Sequence, residues 1–137
     1  MNWINDHILI GNYVDAHNET LLSGYGVRSI LGLDGKLQRH QAKELGVERI
    51  ESFNPTDGPG NDPYLFKRIV DLLGELVRKN APVLVHCHAG RSRSPTVVAG
   101  YLMKSESLAA NEALRRIEKK REIQLTEGIE TLLDAIG

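Results

Sequence analysis

A second cysteine is missing from this 137-residue chain, so Cys87 can form no intramolecular disulfide. A reducing, cytoplasmic setting is the simplest expectation. Excess charge is missing too. Seventeen Lys and Arg stand against 18 Asp and Glu, for a formal net charge of −1. That balance argues against broad binding to nucleic acid or acidic membranes, but not against one basic pocket. No apolar run approaches the roughly 20 residues of a membrane span, so none is expected. The first residues, Met1-Asn2-Trp3-Ile4-Asn5-Asp6, lack a charged segment followed by an apolar one, so no secretory signal is expected. Repeats, low-complexity tracts and linkers are absent as well. What is present is ordinary globular material: 41% hydrophobic and 26% charged residues. A single domain spanning residues 1–137 and a monomer are expected.

Hydrophobic patterning divides the chain into alternating strands and helices. His7 to Ile10, Val27 to Leu33, Val47 to Phe53 and Val83-Leu84-Val85 read as strands, the last apolar throughout, as in a strand buried on both faces. Thr20 to Tyr25 suits one or two helical turns, and Leu37 to Leu45 a polar helix stopped by Gly46. Asn54 to Pro63 holds three prolines and two glycines in ten residues and must be a loop. Asp62-Pro63 reads as an N-cap followed by proline at the first helical position. The helix they open runs to about Lys79, with Phe66, Ile69, Val70, Leu73, Leu76 and Val77 on one face. Helices are also expected over Ser94 to Met103, Leu108 to Arg121 and Thr126 to Ile136. This alternation predicts an α/β fold, a mainly parallel sheet flanked by helices on both faces. Ligands in such sheets sit at the carboxyl ends of the strands. The loops Asp34–Gln38, Asn54–Asp62 and Cys87–Arg93 should therefore share one rim.

The third loop carries the chemistry. The Val83 strand runs through His86 into Cys87, then His88-Ala89-Gly90-Arg91-Ser92, then Arg93, where a helix begins. A loop this short must curl, so backbone N–H groups point inward and form an anion nest at a helix N-terminus. Gly90 permits the backbone angles of such a curl. Arg93 can fork two donors onto phosphate oxygens. The same positive field favours the thiolate of Cys87, and a thiolate beneath a phosphoryl group can attack phosphorus in line. A lone cysteine is often a small core residue. That alternative leaves the histidine, glycine and arginine at fixed offsets unexplained.

His-Cys-x5-Arg-Ser resembles the signature of the cysteine-based protein tyrosine phosphatase superfamily. His-Cys-x-Ala-Gly-x-Ser-Arg-Ser-Pro resembles its compact dual-specificity branch. Weaker similarities lie at Ile8 to Gly11, Val27 to Leu31 and Arg121-Glu122-Ile123. The resemblance implies a dual-specificity phosphatase fold and hydrolysis of phosphotyrosine and of phosphoserine or phosphothreonine, with no cofactor or metal. It implies a general acid on a mobile loop about 30 residues before the cysteine. Asp57 stands 30 residues before Cys87. Asp62 stands 25 before and is the second candidate. An aspartate before glycine is also an ordinary turn residue. By the same resemblance, Ser94 eases departure of the thiolate, His86 supports the loop, and His88, Ala89, Gly90, Arg91, Ser92 and Arg93 bind phosphate. Lys36, Arg39 and His40 are candidates for a basic rim, though such residues are more often solvated surface. Where family members carry Pro-Asn before the last helix, this chain has Gln124-Leu125-Thr126. Thr126 is read as that helix's cap, and Gln124 receives no role.

Three functions compete. One is a phosphomonoesterase acting on phosphoproteins. Another is the same chemistry on a phospholipid or another non-protein monoester. The third is a phosphate-binding module without turnover. The chain is short and has one long loop, so little is left to wall a deep slot, and a shallow pocket is expected.

Overall fold

The computed structural model describes residues 1–38 and 40–136. The helices are α1 (Tyr13–Ala16), α2 (Glu19–Gly24), α3 (Pro63–Asn80), α4 (Arg93–Glu106) and α5 (Ala110–Glu118). The strands are β1 (Asn2–Trp3), β2 (Ile8–Gly11), β3 (Ser29–Gly32), β4 (Arg49–Ser52) and β5 (Val83–His86), in the order β1-β2-β5-β3-β4. β1 runs antiparallel to β2, and every other pairing is parallel. β5 lies in the middle, so the loop after it leaves from the centre of the sheet.

Alternation within the strands builds two cores. Ile8, Ile10, Leu31, Val83 and Val85 join one apolar cluster with Phe66, Ile69 and Leu73 of α3, Val98 of α4 and Ile117 of α5. Leu9, Ile30 and Leu84 join the other with Ala16 of α1, Leu22 of α2 and Leu45. Both faces are thus covered, which is why these strands read as continuous apolar runs. α3 begins as expected: Asp62 accepts from the Tyr64 amide at 2.9 Å, and Pro63 opens the helix.

Some expectations fail locally. The helix expected over Leu37 to Leu45 is only a short 3-10 turn, Ala42–Leu45, ended by Gly46 in the left-handed conformation. Among the described residues of that stretch only Leu37, Ala42 and Leu45 pack on the core, too few for a longer amphipathic face. The last segment is a 3-10 helix, Ile129–Ala135, and Gly128 rather than Thr126 stands at its cap. Nothing in the sequence pattern pointed to the two-residue β1 or to α1.

Candidate active site

The loop Cys87–Arg93 leaves β5 between two strands that end in glycine. Gly11 of β2 and Gly32 of β3 both stand opposite His86. A Cβ on Gly32 would lie 2.9 Å from His86 Nε2, so the missing side chain makes room for the ring. His86 is fully buried, and its Nδ1 lies 3.4 Å from the Cys87 carbonyl. Burial pushes the imidazole below its ordinary value, partly opposed by the Asp34 carboxylate. The sign follows. The unfolded chain takes up this proton below about pH 6.5 and the folded chain resists it, so stability is lost as pH falls through that value. Thermal melts between pH 7.5 and 5.5 should show the decline, and His86→Gln should weaken it. A wild-type midpoint that holds constant over that range would contradict the assignment.

The curl is fixed from outside. His88 O accepts from Tyr13 N at 3.1 Å. Ala89 O and Gly90 O accept from Arg121 at 3.2 and 2.8 Å. Arg91 O accepts from Gln124 N at 2.9 Å, and Ser92 O from Thr96 N at 3.0 Å. Consecutive carbonyls therefore face outward. In a trans peptide the N–H points opposite to the C=O, so the amides of residues 89 to 93 turn toward the interior of the curl. That is the anion nest, built by donors that clamp its outer side. Arg121 also donates to Ile10 O at 3.3 Å and Asn2 Oδ1 at 2.8 Å, tying the loop to β2 and β1. Burial lowers the Arg121 guanidinium from its ordinary value, while the Asp15 carboxylate pushes back.

Sequence reasoning gave Arg121 no role beyond a flanking similarity. It missed Tyr13 and left Gln124 without one. The one signal for Arg121 was that flanking similarity, Arg121-Glu122-Ile123; the backbone amides leave no trace in side-chain identity.

Cys87 is buried at the base of a cavity of about 200 Å³. Asp57, His88, Ala89, Arg91, Ser92, Arg93, Gln124 and Thr126 line it. The three rim loops do meet. Arg93 Nη1 donates to Leu33 O at 2.9 Å and to Pro55 O at 3.3 Å, joining the loops after β3 and β4. Its Nε is buried with no partner. The Nε–Nη2 edge of the fork is the one left for an anion. Ser94 Oγ is likewise buried and unpartnered. Asp57, not Asp62, reaches this cavity, because Asp62 is engaged as the α3 cap.

Ser92 contributes to the nest through its backbone amide and turns its hydroxyl to Asp57 Oδ1 at 2.6 Å. One reading needs correction. Thr126 acts through its backbone amide, which donates to Ser92 Oγ at 2.9 Å, and not as a cap.

The rim is partly aromatic. Tyr13 stacks on His88 with centroids 4.8 Å apart and planes 7° apart. Lys36 Nζ stands 4.3 Å from the Tyr13 centroid. His40 turns away, toward His17 and Glu44. Arg39 lies outside the described residues. No helix among the described residues is long and apolar enough to cross a membrane.

These features agree with the comparisons. The family model "Dual specificity phosphatase, catalytic domain" matches residues 10–134. Dual specificity protein phosphatase 1 of Arabidopsis thaliana is 30% identical over 120 residues, 88% of this chain and 60% of that protein. Dual specificity protein phosphatase 7 of Homo sapiens is 32% identical over 117 residues, 84% of this chain but 27% of that protein. The chain thus spans only part of the length of these relatives. The crystal structure of human DUSP28 superposes with a TM-score of 0.84 at 22% identity, covering 99% of this chain and 94% of that one. The Yvh1 phosphatase domain from Chaetomium thermophilum gives 0.79 at 22%, covering 97% and 92%. On its sequence signature, its fold and the match across nearly its whole length, the chain belongs to the dual specificity phosphatase catalytic domain family.

Proposed function

We propose that this chain is a phosphomonoester hydrolase acting on phosphotyrosine and on phosphothreonine or phosphoserine proteins through a cysteinyl-phosphate. The observation that carries the reading is the amide-lined curl above Cys87, clamped from outside, with the free edge of Arg93 beside it. Cys87 Sγ attacks phosphorus, and the ester P–O bond breaks as the S–P bond forms. Asp57 protonates the departing oxygen. Water then attacks phosphorus, the S–P bond breaks, and Asp57 takes the water's proton. Ser94 Oγ, free of other partners, supports the departing thiolate. His86 holds the loop from beneath, and the amides and Arg93 supply the positive charge that a metal would otherwise give.

We read the pocket as shallow, as the short chain with one long loop led us to expect, which favours both ester types, and the Tyr13–His88 pair adds one aromatic wall that a phenyl ring can lie against. Aryl esters should therefore be the faster substrates, helped also by their better leaving group. The relatives' names favour phosphoproteins over a phospholipid. A single domain, a monomer and a reducing, cytoplasmic setting complete the proposal.

The test is kcat/KM on matched phosphotyrosine and phosphothreonine peptides, with phospholipid monoesters alongside and Cys87→Ser as the control. Turnover of both peptides, faster for phosphotyrosine, with an acid-stable phosphate on Cys87 absent from Cys87→Ser, is expected. Activity should survive EDTA. No phosphothreonine turnover where phosphotyrosine is cleaved readily would make the enzyme tyrosine-specific. A preference for phospholipid would replace the protein substrate, and a silent wild type would leave a binding module.

A further inference from the structure

Ser92 holds an unusual position for a serine. It immediately precedes α4, where serine ordinarily caps the helix by accepting from an amide of the first turn. It makes no such bond. The side chain is nearly buried, at 7% exposure, and bridges two other segments. Its Oγ accepts from Thr126 N at 2.9 Å and donates to Asp57 Oδ1 at 2.6 Å. A hydroxyl has one proton to give. The Thr126 amide occupies one side of the oxygen and leaves that proton directed at Asp57. The short distance suits a hydroxyl donating to a carboxylate.

The surroundings show why the bridge matters. The Asp57 loop is already shaped without Ser92. Asn61 accepts from Thr56 N at 2.8 Å and donates to Thr56 O at 2.8 Å and Gly58 O at 3.1 Å. Pro59 also packs against Gly128, where an added Cβ would meet it at 3.0 Å. These contacts set the loop backbone. None touches the Asp57 carboxyl, which is exposed at the cavity mouth. Ser92 does.

We propose that Ser92 is the positioning residue for the Asp57 carboxyl. Its hydroxyl, aimed by the Thr126 amide, keeps Oδ1 as an acceptor and so assigns proton transfer to Oδ2. In the first step Oδ2 gives its proton to the leaving oxygen. In the second, the same Oδ2 takes a proton from the attacking water. A carboxyl free to rotate would offer the wrong oxygen, or no proton, for part of the time. The inference rests on the phosphatase reading above and adds to it the device that orients the acid.

The experiment compares wild type, Ser92→Ala, Asp57→Asn and the double variant on two esters. 4-Nitrophenyl phosphate has a leaving group that departs with little help. Phenyl phosphate needs the acid. Ser92→Ala should lose about tenfold to a hundredfold in kcat on phenyl phosphate. It should lose less than about threefold on 4-nitrophenyl phosphate, with the inhibition constant of inorganic phosphate nearly unchanged. In the Asp57→Asn background, removing the Ser92 hydroxyl should cost nothing further. Equal losses on both esters, losses that multiply with Asp57→Asn, or no loss on phenyl phosphate would each overturn the proposal. If Ser92→Ala does not fold, Ser92→Gly deletes the same hydroxyl and is read the same way. Failure of both to fold would make the residue structural and overturn it too. A wild type inactive on both esters would instead sink the phosphatase reading.

Discussion

Arg93→Lys should lose about a thousandfold in kcat/KM, nearly as much as Arg93→Ala. The geometry states why a conserved charge is not enough. Nη1 is committed to Leu33 O and Pro55 O, holding the loops after β3 and β4 against the phosphate loop. Nε is buried without a partner, on the edge that a phosphate would meet. One planar group therefore braces two loops with one nitrogen and keeps a two-point grip for the substrate. A lysine ammonium is a point charge. It can approach the carbonyls or the anion, but cannot hold both in fixed relation. Both kcat and KM should suffer, and the inhibition constant of inorganic phosphate should rise. A lysine variant within tenfold of wild type in kcat/KM would show that Arg93 is not the clamp.

The centre of this site was legible because its chemistry is contiguous. Cys87 to Arg93 is a strand end, a curl and a helix start, and each residue type there answers to the backbone shape beside it. Sheet and helix placement were legible for the same reason: β5 and α3 carry unambiguous apolar patterns, and Asp62-Pro63 announces its helix. Asp57 needed the resemblance, because an aspartate before a glycine is also a turn residue. What was not legible is the outer clamp. Its donors come from Tyr13, Arg121, Gln124 and Thr126, more than 30 residues away on the C-terminal side and more than 70 on the other. Three of the four act through backbone amides, which any residue but proline supplies. Short elements were also lost. β1 is two residues long, and the 3-10 turn at Ala42–Leu45 is too brief to show a period.

The clamp makes a single added methyl expensive. Gly90→Ala should lose about a hundredfold in kcat/KM and melt several degrees lower. Gly90 has a φ of +69°, where alanine is strained. The larger effect is steric. A Cβ there would stand 2.5 Å from Gly11 O and 2.6 Å from Arg121 Nη2. The Gly11 carbonyl belongs to the end of β2, which is paired to β5 and cannot retreat. Arg121 could move, but only by surrendering its bonds to Ala89 O and Gly90 O. Either way the curl shifts outward and its amides lose their common focus on the anion. Gly26→Ala is the matched control. Gly26 has a φ of +70° with nothing within 4 Å of the added Cβ, and it lies between α2 and β3, away from the cavity. It should lower stability by about 1 kcal/mol and leave kcat/KM near wild type. Thermal melts and kcat/KM on 4-nitrophenyl phosphate for both variants separate backbone strain from contact. Equal behaviour of the two alanines would mean that the clamp against Gly11 and Arg121 does not shape the phosphate loop.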